Sequence, residues 1–242
     1  MIIEFLLEHY SFLTHTLEFL AAFTGLFLIK KYNAKAAKYF IYFLVVIAIS
    51  DSLCYYTHYV RPGMALEFLI GTRFAKNHWF STLYWDVGAI LFFTYFFYLI
   101  LKTPVFKKVI KFSGYFYFVF STIYILSNWE KFFVQFFEIL DVFGAIIIFM
   151  CTVFYFIEIL LSEEILEFYR SIYFYISAVI FIWWLIITPL GFYDVYYTYE
   201  VGKNFFDTAF ADLRRQIFLF ANIFMYLTYT FAFIWCKPEN EL

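Results

Sequence analysis

Residues 39–60 read YFIYFLVVIAISDSLCYYTHYV. A helix needs roughly 20 mostly apolar residues to cross about 30 Å of hydrocarbon, and this stretch is that long. It holds no Lys or Arg, yet it places an acid, Asp51, near its middle. The stretch therefore predicts that the chain spans a membrane, and that the spans carry buried acids.

Outward from it, six further segments have the same character, at 11–29, 79–101, 112–126, 132–161, 168–192 and 216–236. The expected fold is all-α: a polytopic transmembrane bundle of about seven helices, forming a single domain over residues 1–242. Residues 64–71 are too short to span and are expected to form a re-entrant or interfacial piece. Pro189 is expected to kink or end the sixth helix. The chain is 65% hydrophobic and 15% charged, with 39 Phe and 23 Tyr. Soluble domains average about 45–50% apolar and about 25% charged residues, so an ordinary soluble domain is excluded. A net charge of −2 leaves no basic footprint for nucleic acid. No segment between spans is long enough to hold a separate catalytic domain.

Cys54, Cys151 and Cys236 are odd in number and widely spaced, which argues against a disulfide framework or a thiolate zinc site. The N-terminal stretch carries Glu4 and Glu8 where a signal peptide needs positive charge, so the first apolar segment is expected to be retained. All 17 Lys and Arg except Arg170, which stands at the very start of the segment 168–192 and is counted with the loop before it, fall outside the spans, as the cost of a cation in lipid requires. Ten of them fall in the odd loops and tail, with four each in the first and third loops. The positive-inside rule then places the N-terminus outside and the C-terminus in the cytoplasm.

Acids do not avoid the spans. Glu18, Asp51, Asp86, Glu138, Asp141 and Glu158 all fall within apolar stretches. At 1.5 Å per residue, Glu18, Asp86 and Asn222 come out roughly 10 Å deep, and Asp51 and Asp141 about 15 Å deep, from the outer side. Glu158 is the exception, near the inner end. His9, His15, His58 and His78 cluster at the outer ends of the first three spans. His15 and Glu18 share a helix face, which Ala22 and Gly25 continue. Asp51, Cys54 and His58 form a comparable stripe, as do Thr82, Asp86 and Ala89, then Glu138, Asp141 and Ala145, then Asn222, Tyr226 and Tyr229. These polar or small faces are expected to turn inward, with the Phe faces toward lipid.

The expectation is an outward-opening polar cavity whose ligand- or cation-binding candidates are Glu18, Asp51, Asp86, Glu138, Asp141 and Asn222. Neighbouring acids in low dielectric cannot all stay ionised, so protons, a divalent metal ion or an amine-bearing ligand must neutralise them. His15 with Glu18 is the metal candidate, because Glu/His pairs at helical spacing build metal sites inside bundles. The competing reading makes the same acids protonated glue between helices.

A retinal protein needs a Lys within its last helix, and 216–236 has none. Intramembrane hydrolases of the ceramidase and adiponectin-receptor type place histidines on the last helix, and this one has none. The closing helix, with Asn222-Ile-Phe-Met-Tyr-Leu-Thr-Tyr followed by a short charged tail, resembles a loose group of uncharacterised Phe/Tyr-rich, seven-helix membrane proteins of Bacteroidota. The resemblance implies the fold and a place near sensor kinases, and it supplies no catalytic residues. The leading expectation is a non-enzymatic sensory or accessory protein of the inner membrane. It would contact the lipid bilayer and a cytoplasmic or membrane protein partner. A proton- or cation-coupled transporter, a metal-dependent intramembrane enzyme and a structural subunit are the alternatives.

Overall fold

The computed structural model describes residues 2–32, 34–162, 166–201 and 208–238, with side chains undescribed at 2–4, 192–201 and 208–209. Lys203 and residues 239–242 of the tail, both used in the reading of loop charge and tail, lie outside the described residues. All regular structure among the described residues is helical. It comprises α1 (Ile2–Glu8), α2 (Tyr10–Phe27), α3 (Lys35–Cys54), α4 (His78–Ser81), a π-helical segment (Thr82–Ala89), α5 (Ile90–Ile100), α6 (Pro104–Ser127), α7 (Trp129–Phe132), α8 (Glu138–Leu160), α9 (Ile172–Val201) and α10 (Thr208–Trp235). α4, the π segment and α5 run on as one span, His78–Ile100.

Six helices are long and apolar enough to cross a membrane, so the chain is a multi-pass membrane protein. They correspond to six of the seven sequence segments. The remaining one, 11–29, also folds as a helix, α2, but His15 and Glu18 make it less apolar than the six.

The helices close into a ring. α2 packs between α3 and α10, α10 reaches α9, α9 packs on α8, and α5 completes the circuit between α8 and α3. α6 lies outside the ring against α5 and α8. Small residues set the closest approaches. A Cβ on Gly25 would come within 3.1 Å of Phe233 and 3.2 Å of Ile41, so α2 sits tightly on both neighbours. α2 buries Thr14, Glu18, Ala21, Ala22 and Gly25 and exposes Phe12, Phe23 and Phe27. On α2 the polar and small face thus turns inward and Phe faces outward, whereas Phe40 of α3, Phe93, Phe96 and Phe97 of α5 and Phe233 of α10 are buried, contrary to the expectation that Phe faces lipid.

Rings fill the bundle around the N-terminal half of α3. Phe40, fully buried, lies 4.9 Å from the Tyr229 ring, 5.8 Å from Phe96, 6.2 Å from Phe233 and 6.5 Å from Phe93. Aromatic pairs at 4.5–7 Å add attraction beyond their buried area. The backbone ends at this level are capped across the bundle. Lys31 donates to the carbonyls of Phe233 and Ile234, at 3.1 and 2.9 Å, and the Tyr32 hydroxyl donates to Phe233 at 2.9 Å. A cation on the unpaired carbonyls of a helix C-terminus is favourable.

Several element bounds differ from the sequence reading. The fifth span begins at Glu138, not at 132, because Phe132 and Phe133 leave the helix to pack with Ile125, Phe137 and Leu140 in a second small core. Glu138 and Asp141 therefore stand in the first turn of α8, where the helix dipole favours acids. Helices also run past the apolar stretches: α3 begins at Lys35, α6 carries Lys107, Lys108 and Lys111, and α10 carries Arg214 and Arg215. A helix need not end where hydrocarbon does, since long cationic side chains reach back to water. Pro189 lies within α9, which continues through it to Val201. Residues 55–77 form short 3-10 turns, Tyr55–Tyr59, Glu67–Leu69 and Arg73–Ala75. Gly63 and Gly71 take the left-handed conformations that the turns between them need.

Candidate functional site

Two carboxyl pairs form where four helices meet. The first joins α2 to α3. Glu18 is almost fully buried, His15 Nδ1 lies 3.1 Å from its Oε2, and its carboxyl also faces Asp51. Asp51 accepts a short hydrogen bond from the Tyr84 hydroxyl, which comes from the π segment. The Cys54 thiol lies 3.8 Å from the same hydroxyl, and Asn77 donates to the Cys54 carbonyl at 3.3 Å. Tyr226 of α10, also buried, approaches Glu18, Asp51 and Tyr84 from the third side.

The second pair joins the same π segment to α8. Asp86, 5% exposed, faces Asp141 and lies close to the Thr82 hydroxyl. The fully buried Tyr117 of α6 donates to the backbone carbonyls of Asp86 at 2.7 Å and Leu140 at 3.2 Å. One hydroxyl thus ties three helices beside the pair.

The π segment decides this arrangement. A π-helical turn carries an extra residue, and such turns are frequent at functional sites. Here it turns Tyr84 toward Asp51 and Asp86 toward Asp141, two residues apart in sequence and in different interhelical contacts. Two like charges held together away from water repel each other, so each pair is a place where a change of charge changes a helix contact.

Beside the first pair, a groove of about 410 Å³ opens between α2 and the end of α3. His15, Ser11, Thr16, Ser52 and Tyr55 line it together with two Phe rings. His15 meets Tyr55 edge-on at 5.5 Å, and Tyr55 stacks on His58 at 4.2 Å.

The structure brings together Glu18 with Asp51, and Asp86 with Asp141. It does not gather all six predicted residues around one cavity. The centre of the ring holds a void of only about 10 Å³, lined by Phe43, Phe93, Trp85, Met225, Tyr226 and their neighbours. Asn222 instead accepts a 2.9 Å hydrogen bond from the Trp183 indole, which packs edge-on against Trp85. Glu138 lies at the entry to α8. For His15 and Glu18 as metal ligands, no group of three or more His, Cys, Asp or Glu side chains able to hold a metal ion occurs among the described residues.

Glu158 has a separate role. It accepts hydrogen bonds from the backbone N–H groups of Lys102, at 2.8 Å, and Thr103, at 2.6 Å, just before α6. This is a capping carboxylate supplied by a neighbouring helix. The partners that complete the pairs, Tyr84 and Tyr117, were not legible as such. A buried Tyr hydroxyl needs a partner, but nothing distinguishes these two among 23 tyrosines.

Compared with family models, curated proteins and solved structures, the chain gives no match. Fold and site therefore rest on the physical reading of this chain alone.

Proposed function

We propose that this is a seven-span inner-membrane protein, N-terminus outside, that serves as a non-enzymatic sensory or accessory subunit. Its outer carboxyl pairs take up a proton or a cation, and the change is passed to a cytoplasmic or membrane protein partner. α2 is the seventh span in this reading. The observation that carries it is the double pairing through one π segment. Glu18–Asp51 and Asp86–Asp141 each sit between helices, and both connect to residues 82–89. Changing the charge of either pair changes a helix–helix contact, which is how a local electrostatic event acquires a global readout.

A transporter needs a polar path to the other side. The aromatic packing around Phe40 and the use of Glu158 as a cap rank that reading lower. The metal-dependent enzyme ranks lower again, because no group of three or more side chains arranged to hold a metal ion occurs among the described residues.

Intrinsic tryptophan fluorescence in nanodiscs tests the proposal, since Trp85 lies between Tyr84 and Asp86. Titration with acid and with monovalent and divalent cations is expected to give a transition in the wild type. The Asp51→Asn/Asp86→Asn double variant is expected to fold and to lose it. An unchanged transition in that variant rejects the site.

A further inference from the structure

Six buried side-chain polar atoms lack a hydrogen-bond partner among the described residues. Three of them, His78 Nδ1, Thr82 Oγ1 and Asp86 Oδ2, lie on one span at successive spacings of four. Residues four apart on a helix share a face. The file begins at the half-buried His78 near the outer end and runs roughly 12 Å down the helix at 1.5 Å per residue. Thr82 is fully buried and Asp86 nearly so. The file faces the beginning of α8. The His78 ring meets Phe136 edge-on at 4.3 Å, and Asp86 meets Asp141. One turn further in, Ile90 closes the seam: its side chain would lie 2.9 Å from a Cβ on Gly144.

Buried polar atoms in native proteins are satisfied, and where protein groups do not reach them ordered water does. Rotating the Thr82 hydroxyl onto Asp86 would satisfy Thr82 Oγ1 and Asp86 Oδ2 together and still leave His78 Nδ1 unpaired. A single file of water satisfies all three.

We propose that the seam between the His78–Ile100 span and α8 is a water-filled proton-access path, leading from His78 to the Asp86–Asp141 pair and ending at Ile90. The pair then exchanges protons with the outer side alone. The step is a plain transfer: an O–H bond forms on the Asp86 carboxylate as one breaks on a hydrated proton, and no electrons change hands. The charged and titratable groups facing the path come from each element packed on it. They are Lys76 beside His78, Asp141 and the first-turn Glu138 on α8, and Tyr117 on α6. From α3, Asp51 and Cys54 face Tyr84 on the same segment. The path rests on the reading above that the outer carboxyls take up protons.

Infrared spectroscopy of the full chain in nanodiscs, in H2O and after exchange into D2O, tests it. The expected result is a protonated-carboxyl C=O band that Asp86→Asn removes and that shifts promptly in D2O. Thr82→Val is expected to keep the band but slow its exchange about tenfold, the factor that one lost hydrogen bond is worth. A band present but unshifted in D2O, or exchange unaffected by Thr82→Val, overturns the path and leaves the proton-uptake reading standing. A carboxyl band absent at every pH overturns that reading and the path with it. Thr82→Val keeps the test open if Asp86→Asn does not fold.

Discussion

Glu158 on α8 holds the backbone N–H groups of Lys102 and Thr103 on its two carboxylate oxygens, 55 and 56 residues away in sequence. Pro104 follows at the first position of α6 with no N–H to satisfy, so one side chain and one imide together settle that helix start. Glu158→Ala is expected to lower stability by about 1–2 kcal/mol, the range for losing a cap, while leaving the response of the outer pairs unchanged. Thermal unfolding in detergent measures the first effect and tryptophan fluorescence the second. Wild-type stability of the variant would contradict the cap.

Lys31 and Tyr32 hold the C-terminal carbonyls of α10 from the opposite end of the sequence. Lys31→Ala and Tyr32→Phe should each cost about 0.5–1.5 kcal/mol, as single hydrogen bonds do. Because both reach the Phe233 carbonyl, each single variant leaves it one donor, and the double variant should cost more than the two single losses together. Additive losses would show that the two act separately.

Gly114 meets Thr94 so closely that a Cβ there would lie 2.7 Å from the Thr94 Cγ2 methyl. Gly114→Ala is expected to destabilise the α5–α6 contact by about 1–3 kcal/mol through overpacking. Thr94→Ser removes that methyl and should recover part of the loss. Unfolding curves of the two single variants and the double variant decide it, and an absence of rescue would place the strain elsewhere.

The three thiols should separate by reactivity. Cys151 and Cys236 are both buried, 0% and 1% exposed, so neither thiol is reached by reagent or by the water that would solvate a thiolate. A thiol held protonated at neutral pH reacts slowly, because the thiolate is the nucleophile. Cys54 is half-buried at the C-terminal end of α3. Maleimide is expected to modify Cys54 alone in the folded protein and all three after denaturation. With an impermeant maleimide on intact cells, labelling of Cys54 checks the proposed orientation. Modification of Cys236 in the folded protein would contradict its burial.

Removing the Asn222 amide tests the contact between α9 and α10. Asn222→Leu leaves the Trp183 indole N–H unpaired inside the bundle. The expected cost is about 1–3 kcal/mol, that of a buried unsatisfied donor. The Trp183 emission should shift as well, and if neither stability nor emission changes, the contact is not made.

The helices were legible in the sequence because both sides of the membrane problem are local. A run such as residues 39–60 must satisfy its own backbone in hydrocarbon, and only a helix does that within one segment. The inward turn of Glu18, Ala22 and Gly25 was also legible, since side chains three and four apart share a face wherever the helix is placed. What each polar residue meets was not legible, because that depends on neighbours distant in sequence. Glu158 looked like one more intramembrane acid until the start of α6 came to rest on it. Asp141 read as mid-helix until Phe132 and Phe133 filled a separate core and the helix started at Glu138, which puts Asp141 in its first turn. Five depth-matched residues suggested one cavity. The π segment instead divides the acids into two pairs, and aromatic packing fills the space between the helices. Sequence determined which residues lie in helices and which faces avoid lipid, because periodicity and desolvation act within a segment. The ring order of the helices, the pairing of the acids and the capping of helix ends were decided only by tertiary structure, where close packing chooses among contacts that are all compatible with the same pattern.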